Sequence, residues 1–368
     1  MSFAYDLAPV GRSRDLAKHP WPPTRCDLLA TMSAMDSLTQ ATLGAAVALG
    51  VMHRRTAPWK AALWGSVAGT LPDLDVVIDH GDPILDMVLH RAESHALFWL
   101  TLFSAPLAWL VVRLHGQQAV WRRWWLALWL VLITHPLLDA MTVYGTQLLL
   151  PFSNHPYAVG SLFIIDPLYT LPLLLGVLLA LLWRKRGLNA NALGLVLSTA
   201  YIGWSVAAQH QVQQVARAAI QAQGINAERV LVTPSAFNTV LWRVVVIDEQ
   251  AYHEGFYSFF DADRHIQFRR VDRGAALEAG LGHIEGVQRI RAFSKGFYAL
   301  RDDQGLIRIS DLRMGQHPTF TFAFHAAASR SAPVALVPAR AVGQPPDPAV
   351  GLPWLWRRMW GERMASPG

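Results

Sequence analysis

Five apolar segments, at residues 61–78, 96–112, 124–143, 167–183 and 192–208, with a shorter sixth at 38–52, succeed one another through the first 208 residues. Each of the five approaches the roughly 20 residues a helix needs to cross a hydrocarbon core of about 30 Å. Backbone groups in lipid must find their partners within the segment, so such runs fold as helices. Composition agrees: 52% of the 368 residues are hydrophobic and only 16% charged, against roughly 25% charged in soluble domains. Fifteen tryptophans suit a chain that meets the membrane–water interface. The expected fold is an all-α polytopic membrane bundle of about six transmembrane helices, followed by a C-terminal β-rich (α+β) extramembrane domain.

Arginine and lysine set the orientation. His53, Arg54, Arg55 and Lys60 fall between spans one and two, Arg113, Arg122 and Arg123 between three and four, and Arg184, Lys185 and Arg186 between five and six. The positive-inside rule puts these connections in the cytoplasm and the alternate ones, with everything after span six, outside. The net charge of +6 comes from such clusters and from the last third of the chain. Without a basic stripe interleaved with aromatics, nucleic acid is not an expected partner. A lone cysteine, Cys26, excludes an intrachain disulfide framework and a Cys-based zinc site. Residues 1–34, basic and proline-containing, read as a disordered extension. Met35 opens the organised segment MDSLTQATLGAAVALG, with Asp36 or Ser37 as a helix cap.

On this topology the polar residues collect at one face. Asp73 and Asp75 close span two, and Asp79, His80, Asp82, Asp86, His90, Arg91, Glu93 and His95 fill the next connection. His135 and Asp139 end span four, in THPLLDAMTVYGTQLLLPF. If the helix continues through Pro136, His135 and Asp139, four apart, stand on one face. Ionisable side chains at the end of a span cost several kcal/mol unless offset, and a bound cation offsets them. Carboxylate and imidazole without thiolate is the ligand chemistry of catalytic zinc, or of manganese or iron. Each pair alone also reads as a helix stop, an intrabundle hydrogen bond or a headgroup-level cap. Three segments delivering Asp and His to one face point to a metal site.

These residues resemble the YdjM-like family of predicted membrane-bound metal-dependent hydrolases. The motifs are MDSLTQATLGAA, GTLPDLD, HRAESHALF and THPLLDAMTVYGTQLLLPFS, in order over about half the chain, followed by IIDPLYTLPLLLG. The resemblance implies metal or catalytic roles for Asp73, Asp75, His90, His95, His135 and Asp139, and a bacterial inner-membrane location. Gln40 stands where many members carry a histidine. The chemistry expected is hydrolysis of a phosphoester or ester of a lipid or other amphiphile at the outer, periplasmic face, by metal-activated water. In it Asp73 or Asp75 orients the site or holds a second ion, Glu93 acts as general base and Arg91 holds a phosphate. The competing reading is a transporter, or a lipid- or protein-binding module, whose His/Asp cluster carries protons or a structural ion. Thr142, Tyr144 and residues 154–157 are expected to wall the pocket, with Gly145 and Pro151 in a turn. Tyr157 and Tyr169 read equally as interfacial anchors, and Asp166 as a helix cap.

Domain limits follow composition: 35–208 the transmembrane unit, 209–330 the extramembrane domain, and 331–368 a Pro-rich tail. Residues 209–224 read as a polar helix leaving the bilayer. Alternation at 240–247, 251–260, 287–293, 296–301, 307–312 and 319–324 reads as strands. His253, Glu254, His265 and His317 are scattered and read as surface or core residues. The terminal LPWLWRRMW suits lying in a membrane interface.

Overall fold

The computed structural model describes residues 25–367 except 164, 184, 330, 331, 345 and 346, with side chains from residue 37. Helices fill its first part: α1 (Arg25–Met52), α2 (Pro58–Thr70), the short α3 (Pro83–Leu89), α4 (Leu97–His115), α5 (Trp121–Asp139), α6 (Pro167–Leu182) and α7 (Gly187–Ala222). Among the described residues α4 and α7 are long and apolar enough to cross a membrane, and α6 is apolar but has only 16 residues. The expected extension is helical from Arg25 on, because residues 25–34 hold Leu, Ala and Met and no Gly or Pro. Asp36 and Ser37 therefore lie inside α1 rather than at its cap. Residues 1–24 of that extension, and Arg184, lie outside the described residues.

α1 packs against α2, α5, α6 and α7. Its contact with α2 is close enough that a Cβ on Gly44 would meet the Gly65 carbonyl oxygen at 2.2 Å, and one on Gly69 the Gln40 oxygen at 2.6 Å. Small residues at such a seam let backbones touch where lipid leaves no hydrophobic drive between helices. Polar side chains pin the other neighbours. Asn191 Nδ2 donates to Ala46 O at 2.9 Å, and the Thr39 and Thr170 hydroxyls meet at 3.0 Å. Tyr169 is buried in the core that these helices share and is not set at its surface. Asp166 caps α6, its carboxylate accepting from Leu168 N at 2.9 Å.

The basic connections gather at one end. Gln117 Nε2 donates to Thr56 Oγ1 at 2.9 Å, and His53, Arg54 and Lys185 line one cavity. α2 and α5 run away from that end and α4 runs towards it, so Thr70, Asp139 and Leu97 all lie at the opposite one.

The C-terminal domain is built of sheets. β1 (Arg229–Pro234), β2 (Leu241–Ile247), β3 (Ala251–Ser258) and β4 (Arg269–Asp272) pair antiparallel in that order. After α8 (Ala275–Glu278) and α9 (Glu285–Phe293) come β5 (Tyr298–Asp303) and β6 (Leu306–Asp311), then a small hairpin of β7 (Gly315–Gln316) and β8 (Thr319–Phe320). β9 (Ala323–Ala328) and β10 (Val334–Ala341) complete a second sheet of order β10-β9-β6-β5, and α10 (Pro348–Met359) follows. Two expectations change here, and a third, the polar helix, is found as part of a longer one. Residues 287–293 are helical, since Val287, Ile290 and Phe293 bury one face at a spacing of three. The Pro-rich tail is ordered through β10, whose Pro338 sits on an edge strand where a missing N–H is tolerated. The polar helix after residue 208 is the continuation of α7: Val212, Val215, Ala216 and Ala219 pack against Trp242, Val244 and Val246.

Gly44→Leu should cost about 3 kcal/mol or more by overpacking the α1–α2 seam. Gly203→Ala, where an added Cβ meets nothing within 4 Å, should leave the melting temperature of the detergent-solubilised protein unchanged. Equal melting temperatures for the two variants would contradict the seam.

Candidate metal centre

Asp73 lies in the 3₁₀ turn Pro72–Val77 after α2, and His95 in the turn Glu93–His95 before α4. His135 and Asp139 stand at the end of α5, which does run through Pro136. All four are buried, and one ligand atom from each falls within 4.8 Å of all the others. The two Nε2 atoms of His95 and His135 are 3.1 Å apart. Asp139 Oδ2 lies 3.2 and 3.3 Å from them, and Asp73 Oδ1 3.4 Å from each.

Neighbouring hydrogen bonds decide what these atoms are. A carbonyl oxygen only accepts, so His135 Nδ1, 2.6 Å from Gly69 O, carries a proton, and in the neutral ring that leaves the lone pair at Nε2. Ser94 Oγ donates to Asp75 Oδ2 at 2.5 Å, which leaves its lone pair to accept from His95 Nδ1 at 2.8 Å. His95 Nε2 is then also a lone pair. With both rings neutral, two imidazole and two carboxylate acceptors face one another, and Asp73 Oδ1, Asp73 Oδ2 and Asp139 Oδ2 are buried without hydrogen-bond partners. Converging acceptors in a dry interior are costly unless a cation lies among them. Bonds of 2.0–2.1 Å from a tetrahedral ion imply ligand–ligand edges of about 3.3 Å. Five of the six edges, at 3.1–3.4 Å, fit, and the sixth, between Asp73 and Asp139, lies within 4.8 Å.

The surrounding shell orients these side chains. Gln40 Nε2 donates to Asp139 Oδ1 at 2.9 Å, and Arg91 Nη2 lies 3.5 Å from the same oxygen, so Oδ2 is turned inward. Asp75 sits alongside, accepting from Arg91 N–H at 3.0 Å and meeting His90 Nδ1 at 2.8 Å. The structure thus brings Asp73, His95, His135 and Asp139 together, and places Asp75 and His90 as a pair beside them. Arg91, at a left-handed φ of 64°, points inward to Asp139 and to Thr142 Oγ1 at 3.3 Å. Glu93 is exposed, and among the described residues no hydrogen bond or ion pair ties it to the four. Sequence reasoning gave no role to Ser94, although it lies within HRAESH, nor to the Gly69 carbonyl, which no side-chain pattern can signal.

The C-terminal domain is seated on this end. Tyr144 packs edge-on against Phe293 and Phe322, with ring centroids 5.2 and 5.8 Å away, and Ile84 and Met87 of α3 join the core of the second sheet. Burial pushes the Tyr144 phenol up, so it stays a donor, to Met87 O at 2.5 Å. Arg313, held by Asp311 at 2.7 Å, donates to Tyr144 O at 3.0 Å and Val143 O at 3.3 Å. It grips the segment that follows Asp139. Its distance in sequence kept it out of view.

A helical unit with membrane-length apolar helices, a buried Asp/His centre at one end and a β-rich domain seated there defines the class: a membrane protein with a site fit to hold a cation. Residues 35–212, just under half of the chain, match the family model of the YdjM inner membrane protein, the family its motifs resemble. The uncharacterized protein YfhP of Bacillus subtilis (strain 168) is 24% identical over 233 residues, covering 60% of this chain and 68% of its own. No solved structure matches the chain.

Arg313→Met leaves Asp311 buried and unpaired, which should cost about 3–5 kcal/mol. Thermal unfolding of the full chain measures it, and a shift no larger than that of the exposed Arg301→Met would remove the proposed grip.

Proposed function

We propose that the chain is a multi-pass inner-membrane hydrolase, using a divalent ion, zinc by its donor set, at the outer face to cleave an ester or phosphoester of an amphiphile. The observation that carries this reading is the convergence of four buried ligand atoms, with the remaining polar atoms of His95, His135 and Asp139 committed elsewhere. His95, His135, Asp139 and Asp73 would hold the ion, which would supply Lewis acidity to a water or substrate oxygen. Ser94 and the Gly69 carbonyl fix the imidazole tautomers, and Asp75 orients Ser94. Gln40 and Arg91 hold Asp139. Asp73 alone of the four lacks a hydrogen bond to fix it, so its carboxylate is the one that swings aside to admit a substrate oxygen. His90, part exposed, stands on the solvent side of Asp75, where a proton can leave. An amphiphile is supported by the exposed Phe98, Trp99 and Phe152, which form an apolar rim just beyond His95.

One observation favours a second reading. Four protein ligands complete a tetrahedron, and closed tetrahedral sites are structural where catalytic ones keep a position open. The two readings part on Asp73.

The purified protein should carry a stoichiometric divalent ion by elemental analysis, and His135→Ala and Asp139→Ala should lower metal affinity by about 100-fold or more. Metal-free wild type at neutral pH would defeat both readings. Asp73→Asn should keep the ion yet alter turnover of a micellar ester or phosphoester. Wild type that holds its ion, turns over no such substrate and merely melts lower after chelation favours the structural ion.

A further inference from the structure

The C-terminal domain carries an apolar stripe that its own core does not use. Along α10, Leu352 and Trp356 are four apart, and Trp360 follows after the same interval, so the three share one face. All three are exposed, Trp356 to 61%. The opposite face is anchored: Trp354 is buried edge-on against Phe256 at 5.0 Å, and Arg358 pairs with Asp261, its Nη2 at 2.8 Å from Oδ2. The stripe is thus held rigidly outward.

Its position follows from α7. Lys185 and Arg186 mark one end of that helix, and Trp204 lies about 27 Å further along at 1.5 Å per residue. A hydrocarbon core is about 30 Å thick, so Trp204 falls at the second boundary. Leu193, Val196 and Leu197 below it are exposed and apolar, whereas Ala208, Val212 and Val215 above it are buried against the first sheet. Trp204 touches Phe259, with ring centroids 5.9 Å apart, and the next residue, Phe260, stacks on Trp360 at 4.8 Å and an interplanar angle of 13°. Trp360 meets Trp356 at 5.7 Å. The apolar surface of α7 therefore continues through Phe259 and Phe260 onto α10 without a break.

We infer that α10 and Phe260 form a second membrane contact, lying in the headgroup and acyl boundary of the leaflet where α7 emerges and resting the C-terminal domain on the lipid. Tryptophan favours that depth because its ring is apolar and its N–H is wet. Arg357 and Arg363 flank the stripe, paired with Glu362 and Asp263, and their aliphatic stems extend the apolar surface. The contact is independent of whether the metal centre catalyses anything.

The test uses the full chain in lipid nanodiscs, with Cys26→Ser removing the sole cysteine and a nitroxide attached at one position at a time. Labels at Leu352→Cys and Trp356→Cys, exposed positions outside any core, are compared with Trp109→Cys on the outer face of α4 and Glu249→Cys in the turn between β2 and β3. That turn lies at the far end of the hairpin from Phe259. Collision rates with oxygen should resemble those at Trp109, and rates with a water-soluble nickel chelate should be several-fold below those at Glu249. Rates like those at Glu249 would overturn the contact. Low access to both reagents, the pattern of a face covered by protein or by a second copy, would overturn it equally.

Discussion

Lone pairs on His95 and His135 can face each other across 3.1 Å only if each neutral ring holds its proton on Nδ1, where Ser94 Oγ and Gly69 O accept it in hydrogen bonds. The centre hangs on that constraint, and so does much of the surrounding architecture. His135 reaches the Gly69 carbonyl because Gly44, Gly65 and Gly69 let α1 and α2 touch, and the same approach brings Gln40 within 2.9 Å of Asp139. A glycine seam at the helix interface and the polarity of the buried group are in this sense one feature. A side chain at the seam would push the carbonyl away, and the imidazole would lose the acceptor that fixes its tautomer.

Gln40 stands where the motif resemblance implies a histidine, and its amide would be a weak ligand. It works from one step further out, donating to the outer oxygen of Asp139 and leaving the inner one for the centre. The amide preserves the orientation of the carboxylate without joining the ligand set. Asp75 is comparable: its neighbours His90, Ser94 and the Arg91 amide occupy its oxygens, so its influence passes through Ser94 to His95.

The apolar runs announced the helical unit, and the spacing of His135 and Asp139 announced a shared face, because both depend on local period. Asp73 and His95 were legible as chemistry, but their separation from Asp75 and His90 was not. That sorting depends on which way a 3₁₀ turn points its side chains. Residues 287–293 fit a strand and a helix equally by alternation, and only burial of Val287, Ile290 and Phe293 against β5, β6 and β9 decides the matter. Only Ala323 and Phe324 of β9 fell within the expected strand 319–324, because AFHAAA has no β-branched residue, although Ala326 and Ala327 fit a tightly packed sheet. Arg313 is separated from Tyr144 by the whole of the intervening chain, and no motif links them.

α7 runs unbroken for 36 residues, its first half apolar on the outside and its second half forming the floor of a sheet. The two parts of the chain are consequently joined by a stiff rod and not by a hinge. The sheet that rests on its second half is thus carried by the same helix whose first half turns Leu193, Val196 and Leu197 outward, so whatever sets the tilt of that helix also sets the direction the sheet faces.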